Sequence, residues 1–320
     1  MDRQSSVAGL RTALADFAAS WLADAQSWCV ALSGGPDSLA LTAAAAATRP
    51  TTALIVDHGL QADSDVVALT ARQQAMNLGC VAARVLRVQV GDTGGPEAAA
   101  RTARYAALDA ARQGAPVLLG HTLDDQAETV LLGLGRGSGA RSIAGMRPCD
   151  PPWYRPLLGM RRSRTHAACA ELGLAVWNDP HNSDARFTRV RLRTEVLPLL
   201  EQVLGGGVAE ALARTASGLR EDTDALDSLA GHDLVGAVSG DGLDTAAIKD
   251  LPAALRRRVI RAWLLAGGAS GLTDTQIRAV DALVSAWRGQ GGVAVGSEVP
   301  YTRLFAERRG AELTLSRKPV

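Results

Sequence analysis

Lysine, cysteine and aromatic residues are scarce in this chain of 320 residues, and no long apolar run occurs. The lack of a run of about 18 apolar residues excludes a membrane-spanning helix, so no membrane partner is expected. The cysteines lack CxxC spacing, and no zinc or iron–sulfur site is predicted. Scattered cysteines are instead typical of reduced thiols in a cytoplasmic protein, and here they are Cys29, Cys80, Cys149 and Cys169.

Arginine supplies almost all of the positive charge, because only Lys249 and Lys318 are lysines. The formal net charge is +1, which by itself predicts no partner. Between residues 136 and 193, however, eleven arginines stand against four acidic residues. Such a local excess of positive charge favours a polyanion such as RNA over the alternative, an ordinary solvated surface.

One short motif combines the features of a phosphate-binding loop. Residues 27–32 form an apolar run typical of a buried strand, and an alanine-rich helix is predicted to begin near Ser38. Between them lies Ser33-Gly34-Gly35-Pro36-Asp37-Ser38, with Asp37 or Ser38 placed to cap the helix. Glycines let backbone N–H groups converge, and a helix N-terminus adds partial positive charge, so the loop predicts an anion site.

This loop has no lysine, whereas a Walker A loop places a lysine on the outer phosphates. Asp37 instead puts a carboxylate beside the predicted anion site. A Mg²⁺ ion that bridges the carboxylate and the phosphates would explain this arrangement. The SGGxDS pattern resembles the PP-loop ATP pyrophosphatases, which transfer AMP and release pyrophosphate. The alternative is a glycine-rich turn that binds nothing.

Strands and helices alternate over about the first 135 residues, which predicts a doubly wound parallel sheet of the α/β class. After the first strand, further strands are predicted at 52–56, 81–90 and 116–121. Ligands of such sheets bind at the carboxyl ends of the strands, near the point where the strand order reverses. The polar residues that follow predicted strands are Ser33, Asp57, His58 and His121. We therefore expect them at one edge of the sheet.

Two domains are predicted from the change of pattern along the chain. Residues 1–204 form the PP-loop adenylation domain, which includes the basic segment at about 133–193. Three consecutive glycines, Gly205 to Gly207, are the clearest linker. Residues 208–320 are predicted to form a smaller, mainly helical domain that ends in a β-hairpin.

Three carboxylates fall within one turn of the helix that is predicted after the fourth strand: Asp124, Asp125 and Glu128. Asp125 and Glu128 are three residues apart and therefore share a face of the helix. Asp124 is predicted to cap the helix. A helix N-terminus attracts carboxylates, so capping alone would explain their presence. A binding role for them comes only from a family resemblance.

Six segments, in order, closely resemble the tRNA(Ile)-lysidine synthetase family over residues 27–204. The segment at 120–132 is the most specific of them. The six are ALSGGPDS (31–38), VDHGL (56–60), ARTARY (100–105), GHTLDDQAETVLL (120–132), RPLL (155–158, followed by Arg161 or Arg162) and NDPHNSDARFTRVRLR (178–193).

The resemblance implies a reaction and its substrates. Enzymes of this family use ATP and free lysine to convert the wobble cytidine of the CAU anticodon of isoleucine tRNA into lysidine. The oxygen on carbon 2 is adenylated, and lysine then displaces AMP, which changes codon recognition from AUG to AUA. The implied cofactors are ATP and Mg²⁺, and the implied partners are L-lysine and isoleucine tRNA.

The resemblance also implies an ATP site. Residues 33–38 would bind the pyrophosphate end of ATP, with Asp37 holding Mg²⁺. Asp57 and His58 would lie near the ribose or adenine, and a simple cap at the end of the strand is an equal alternative for them. His121 would contact the phosphates or transfer a proton.

For the second substrate, the resemblance places Asp125, Glu128 and Arg101 around lysine, with catalysis assigned to Asp37, His121 and Arg101. RNA readers stack bases on aromatic rings, and Trp153, Tyr154, Trp177 and Phe187 are the candidates for such stacking. The Gly-rich loop at 133–139 would close over the flipped cytidine. The arginines expected to contact tRNA are Arg136, Arg141, Arg155, Arg186, Arg189, Arg191 and Arg193.

Three other functions stay open at this stage. A tRNA thiolase of the PP-loop superfamily would need paired cysteines, which the chain lacks. A small-molecule synthetase of the same fold would have no use for the basic segment. A non-catalytic tRNA-binding protein would need neither the SGGPDS loop nor the Asp125–Glu128 pair. The oligomeric state is also open, a homodimer included.

Overall fold

The computed structural model describes residues 5–59, 63–89, 91, 95–137, 139–179, 184–299 and 301–319. The chain folds into two compact units. The first unit comprises Met1–Leu131 and Gly145–Arg214, and the second comprises Leu132–Ala144 and Thr215–Val320. The boundary between the units therefore follows Arg214, beyond the glycines at 205–207, and residues 132–144 belong to the second unit.

The first unit contains a six-stranded sheet with the order β3-β2-β1-β4-β6-β5. All neighbouring strands are parallel except β5 and β6. The strands are β1 (Trp28–Ala31), β2 (Thr51–Asp57), β3 (Ala82–Arg87), β4 (Val117–Leu118), β5 (Cys149–Asp150) and β6 (Trp153–Tyr154). The predicted doubly wound parallel sheet is confirmed, and its strand order reverses between β1 and β4.

Helices α1 to α9 accompany this sheet, except α6, which belongs to the second unit. They are α1 (Ser6–Trp21), α2 (Pro36–Ala46), α3 (Ser64–Asn77), α4 (Pro96–Ala111), α5 (Leu123–Arg136), α6 (Ala140–Ile143), α7 (Arg162–Glu171), α8 (Thr188–Arg191) and α9 (Leu197–Leu204). The main core joins α1, α2 and the sheet through Leu14, Leu39 and Trp28, all almost fully buried. The Trp28 indole N–H donates to Thr51 Oγ1 at 2.8 Å, so this buried polar atom is satisfied.

The sequence also predicts a helix over residues 186–204, bent or interrupted at Pro198, and helical structure is present over residues 188–204. A π-helical stretch, Leu192–Val196, separates α8 from α9, and Pro198 lies in the first turn of α9. Proline is well tolerated there because it has no N–H to leave unpaired. Gly205, Gly206 and Gly207 all have positive φ and lead into α10 (Val208–Ala237).

The second unit contains more helical than strand residues and ends in the predicted hairpin, formed by β11 and β12. The segment predicted as a hairpin, residues 293–316, also contains β10. Three strands that the sequence did not predict, β7, β8 and β9, complete the sheet β7-β8-β12-β11-β10-β9. The elements after α10 are β7 (Val238–Ser239), β8 (Gly242–Asp244), α11 (Thr245–Ile248), α12 (Ala253–Ala266), β9 (Ala269–Ser270), α13 (Asp274–Ser285), β10 (Val293–Ser297), β11 (Thr302–Arg309) and β12 (Glu312–Pro319). The sequence also predicts amphipathic helix over residues 252–287, and this segment forms two helices, α12 and α13, separated by β9.

No single described helix is both long enough and apolar enough to cross a membrane. One pair of helical segments, residues 188–204 and 208–237, together has the length and composition of a membrane-spanning segment, but the pair is sharply bent between its two parts.

Gly120 follows β4 and packs against the start of α2. A Cβ built on Gly120 would lie 3.1 Å from the backbone of Asp37 and Ser38. We therefore expect Gly120→Ala to lower the free energy of unfolding by about 1–3 kcal/mol, because backbone at this contact must move apart. Urea unfolding followed by circular dichroism measures the change.

Gly159→Ala is the matched control, since a Cβ at Gly159 meets nothing within 4 Å. Equal unfolding midpoints for the Gly120→Ala variant and the unaltered chain would contradict the contact described here.

Candidate active site

The SGGPDS loop leaves β1 and is held by its own two serines. Ser33 N donates to Ser38 Oγ at 3.2 Å, and the two hydroxyl oxygens lie 3.1 Å apart. Ser38 Oγ also donates to the Gly35 carbonyl at 2.9 Å. Gly34 has φ +83°, which glycine adopts without strain. These bonds close the loop into a turn directly before α2.

The N-terminus of α2 carries no side-chain cap. Gly35 is the N-cap residue and Pro36 begins the helix, so the predicted cap by Asp37 or Ser38 is wrong. The serine hydroxyl instead bonds within the loop. Because no side chain caps them, the first-turn N–H groups of α2 are left for an anion, which fits a phosphate of ATP.

At the end of β2, Asp57 closes the turn that follows the strand, since Gly59 N donates to Asp57 Oδ1 at 3.0 Å. His58 Nδ1 is buried and has no hydrogen-bond partner among the residues that the structure describes. Burial lowers the pKa of His58, and Arg104 adds to this effect. The alternative of a strand-end cap therefore accounts for Asp57, whereas the unpaired nitrogen of His58 is suited to a ligand. Leu60 of the segment at 56–60 lies outside the described residues, as do residues 180–183 of the segment at 178–193.

The helix α5 is capped by Thr122 and Asp125, not by Asp124 as predicted. Thr122 N and Thr122 Oγ1 donate to Asp125 Oδ2 at 2.8 and 2.7 Å. Asp125 N lies 3.4 Å from Thr122 Oγ1, which completes a reciprocal capping arrangement. Asp124 Oδ2 instead accepts from Arg162 N at 2.7 Å, and Arg161 pairs with the same carboxylate.

Asp37, Asp125 and Glu128 converge on the guanidinium of Arg162. Arg162 Nη2 lies 2.5 Å from Asp125 Oδ1, both of its Nη atoms lie 3.3 Å from Glu128 Oε1, and its Nε lies 3.4 Å from Asp37 Oδ2. Arg193 Nε donates to Glu128 Oε1 at 2.8 Å. These contacts were not predicted from the sequence. The family resemblance pointed to Arg161 or Arg162 but assigned no partner to either residue.

Burial and neighbouring charges act on these carboxylates in opposite directions. Burial raises the pKa of Asp37 despite the hydrogen bond from Thr165 and the charge of Arg162. Burial also acts to raise the pKa of Asp125, but Arg162 and the two bonds from Thr122 outweigh it and lower that pKa. Asp125 is therefore held as a carboxylate, paired with a cation and with its helix cap.

His121 lies between β4 and α5, and its Nδ1 is buried without a partner. Burial lowers the pKa of His121 to about 4, although Asp125 opposes the shift. The imidazole is therefore neutral at pH 7. A neutral imidazole with an unpaired nitrogen is able to accept a proton.

Arg101 contacts Tyr105 and lies near enough to His121 for its charge to add to burial in lowering the pKa of that histidine. Its guanidinium stacks over the Tyr105 ring at 4.8 Å and donates to the Tyr105 hydroxyl at 3.2 Å. Tyr105 in turn packs edge-on against Trp153, and Tyr154 packs edge-on against Phe17. Trp153 and Tyr154 therefore pack within the fold, which disfavours the predicted stacking on RNA.

Among the residues that the structure describes, no three His, Cys, Asp or Glu side chains are placed to hold a metal ion. Mg²⁺ in nucleotide sites is commonly bound by one or two carboxylates, with phosphates and water as the other ligands. Asp37 offers hard oxygen donors beside the uncapped helix N-terminus, so it fits this role chemically.

The chain matches two family models. A PP-loop domain matches residues 8–200, and a TilS substrate binding domain matches residues 243–308. A tRNA(Ile)-lysidine synthase of Mycolicibacterium paratuberculosis is 70% identical over 320 residues, which is 100% of both chains. The chain belongs to the tRNA(Ile)-lysidine synthase family. The predicted family is confirmed, as is the predicted use of ATP by a PP-loop enzyme.

Further relatives agree with this membership. The tRNA(Ile)-lysidine synthase of Mycobacterium leprae is 66% identical over 324 residues, again 100% of both chains. Among solved structures, the U34-tRNA thiolase NcsA of Methanococcus maripaludis is similar, with a TM-score of 0.55 at 16% identity. The similarity covers 68% of this chain and 80% of the thiolase, and it shows a shared fold alone.

The arginines that were predicted to contact tRNA differ in exposure. Arg186 is 85% exposed and pairs with Asp184, and Arg191 pairs with Glu195 in an exposed i,i+4 pair. Arg155 is only 6% exposed and donates to the Arg147 carbonyl, so its burial disfavours the predicted contact. Arg189 and Arg193 face Glu128, at 3.8 and 2.8 Å. In the second unit, Arg136 lies at the end of α5, and Arg141 pairs with Asp227.

Glu128 has no exposed side-chain surface and contacts Arg162 and Arg193. Removing one partner of a buried ion pair leaves an uncompensated charge. We expect Glu128→Gln to lower the free energy of unfolding by about 3 kcal/mol in urea titrations. Glu195→Gln breaks only an exposed pair and should leave stability unchanged. A loss no larger than that of the Glu195→Gln control would contradict the buried network.

The low pKa of His121 predicts a pH dependence of stability. Unfolded histidine titrates at about pH 6.5, so below that pH the unfolded chain binds a proton that the folded chain refuses. Stability should therefore fall between about pH 6.5 and pH 4, with His121 contributing at most roughly 3 kcal/mol. The His121→Gln variant should show a flatter profile in thermal unfolding over this range. An identical slope in both proteins would contradict the low pKa.

Proposed function

We propose that this chain ligates free L-lysine to carbon 2 of the wobble cytidine in the CAU anticodon of isoleucine tRNA, with ATP as the activating substrate. One observation carries the proposal: the uncapped phosphate loop after β1 and the acidic start of α5 after β4 meet where the strand order reverses. The proposed anion site and the carboxylates proposed to bind a cationic substrate are therefore adjacent. The reaction needs both.

The first step activates the base. The oxygen on carbon 2 of the cytosine attacks the α-phosphorus of ATP, an O–P bond forms, and the bond to pyrophosphate breaks. The first-turn N–H groups of α2 and the Ser33–Ser38 loop hold the phosphates. When bound, Mg²⁺ supplies positive charge to the phosphates, and Asp37 is the residue proposed to hold it.

The second step forms the carbon–nitrogen bond. The ε-amine of lysine attacks carbon 2, and AMP leaves with the oxygen that was adenylated. Asp125 retains exposed surface, whereas Glu128 has none and is covered by arginines. We therefore place the lysine ammonium at Asp125, with Glu128 acting through those arginines. His121, which is neutral and has an unpaired nitrogen, is proposed to accept a hydrogen bond from the attacking amine, and the proton that the amine loses passes to water.

Exposed arginines of the first unit are the proposed contacts of the tRNA backbone: Arg186, Arg189 and Arg191. Guanidinium groups pair well with phosphates and give salt-dependent binding. Arg136 and Arg141 of the second unit are further candidates, and the match of residues 243–308 to a substrate binding domain supports a tRNA role for that unit. All proposed ATP and lysine contacts come from one chain, so a homodimer is not required.

Incorporation of radiolabelled lysine into an unmodified isoleucine tRNA transcript tests the function. We expect acid-stable incorporation that depends on ATP and disappears when the wobble cytidine is changed. ATP-dependent pyrophosphate release with another substrate, and without incorporation, would keep the PP-loop chemistry but contradict lysidine formation. Tight tRNA binding without either signal would favour a tRNA-binding protein that is not an enzyme.

Two substitutions separate the steps. Asp37→Asn should abolish transfer of AMP to the tRNA, because the proposed Mg²⁺ ligand is lost. Asp125→Asn should raise the KM for lysine by about tenfold or more, because it removes the charge proposed to face the ammonium. AMP transfer should change less, although the ion pair between Asp125 and Arg162 is lost as well. Asp109→Asn, on exposed α4, is the control. A slower AMP transfer with unchanged lysine dependence in Asp125→Asn would contradict this assignment.

A further inference from the structure

Arg162 joins side chains that follow two different strands. Its Nη2 lies 2.5 Å from Asp125 Oδ1 and 3.3 Å from Glu128 Oε1, on α5 after β4. Its Nε lies 3.4 Å from Asp37 Oδ2, at the start of α2 after β1. The Arg162 side chain is only 15% exposed. One nearly buried guanidinium therefore bridges the phosphate loop and the acidic start of α5.

The first turn of α7 is fixed by contacts that do not use this guanidinium. Arg162 N donates to Asp124 Oδ2 at 2.7 Å, and the Thr165 hydroxyl donates to Asp37 Oδ1. Deeper in α7, Cys169 Sγ lies 3.3 Å from the Pro36 carbonyl oxygen. The backbone of Arg162 is thus located relative to both α2 and α5. The position of its guanidinium relative to α2 and α5 is therefore constrained by the backbone of α7.

The carboxylates need this cation in order to share the site. Asp37, Asp125 and Glu128 are mostly or wholly shielded from water, and like charges at short range repel each other. Arg193 supplies a second positive charge, but at 2.8 Å from Glu128 and 3.7 Å from Asp125 it serves the α5 side. Among the described residues, Arg162 is the arginine that contacts all three carboxylates.

We propose that Arg162 is a positioning residue that couples the two halves of the reaction, a role that rests on the proposed function. It holds Asp37 in place for adenylation and, with the same guanidinium, holds Asp125 and Glu128 for the capture of lysine. A guanidinium has five N–H donors in a planar fork, so it is able to serve three carboxylates at once. A lysine at this position keeps the charge but acts as a point-like ammonium.

The test compares Arg162→Gln and Arg162→Lys with Arg161→Gln. Arg161 is the neighbouring residue, and it pairs with Asp124 and Glu210 instead of the three carboxylates. AMP transfer to tRNA is measured without lysine, and the KM for lysine is measured in the full reaction. We expect Arg162→Gln to slow AMP transfer and to raise the lysine KM, each by about tenfold or more.

Arg162→Lys should recover part of both losses, and Arg161→Gln should stay within about twofold of the unaltered chain on both measures. If Arg162→Gln does not fold, as judged by thermal unfolding, Arg162→Lys alone decides the matter. Normal AMP transfer and normal lysine KM in a folded Arg162→Lys variant would overturn the proposal. Equal losses of AMP transfer and lysine affinity in Arg161→Gln would also overturn the proposal, because they would show that any disturbance at the start of α7 has the same effect.

A double variant separates positioning from a merely structural effect. If Arg162 acts through Asp125, the rise in lysine KM caused by Asp125→Asn should be smaller in the Arg162→Lys background than in the unaltered chain. If the double variant's rise in lysine KM equals the product of the two single rises, the two residues act independently and the proposal is overturned. Absence of lysine incorporation by the unaltered chain is a different outcome, since it contradicts the proposed function itself.

Discussion

Burial of negative charge beside the proposed phosphate site is the constraint on which the first unit depends. Nucleotide phosphates and carboxylates repel each other, yet the fold brings the loop proposed to bind phosphate and three acidic side chains to one edge of the sheet. Arginines from α7 and from the stretch after α8 make this possible by neutralising the carboxylates. The packing of α7 against α2 is therefore an electrostatic requirement as well as a hydrophobic one.

Much of this arrangement followed from local sequence. An apolar run, a glycine pair and an alanine-rich helix located the phosphate loop, and alternating strands and helices put Asp57, His121 and Asp125 at the same edge as that loop. Such predictions succeed because apolar runs and glycine-rich turns are local signals. The helix caps predicted from the same segments, at α2 and α5, were wrong. Because the carboxyl ends of parallel strands lie at one edge of the sheet, residues that follow different strands come together even though they are distant in the sequence.

Contacts between distant segments did not follow in the same way. Arg162 lies 125 residues from Asp37 along the chain, and no periodicity encodes their ion pair. The arginines of the basic segment looked equivalent in the sequence, but Arg155 is buried and Arg193 faces Glu128, whereas Arg186 is exposed. Strands of two or three residues, such as β7 and β9, are too short to show alternation.

The π-helical stretch at 192–196 determines the rotational phase of the helix that follows it. Each residue of an α-helix turns the chain by about 100°, so one residue more or fewer in this stretch would rotate everything beyond it. Arg193 contacts Glu128 from within the stretch, and the buried Leu197 begins α9 directly after it. A single deletion there would move Leu197 away from its apolar neighbours and Arg193 away from its carboxylate. The length of this short segment is therefore as constrained as its composition.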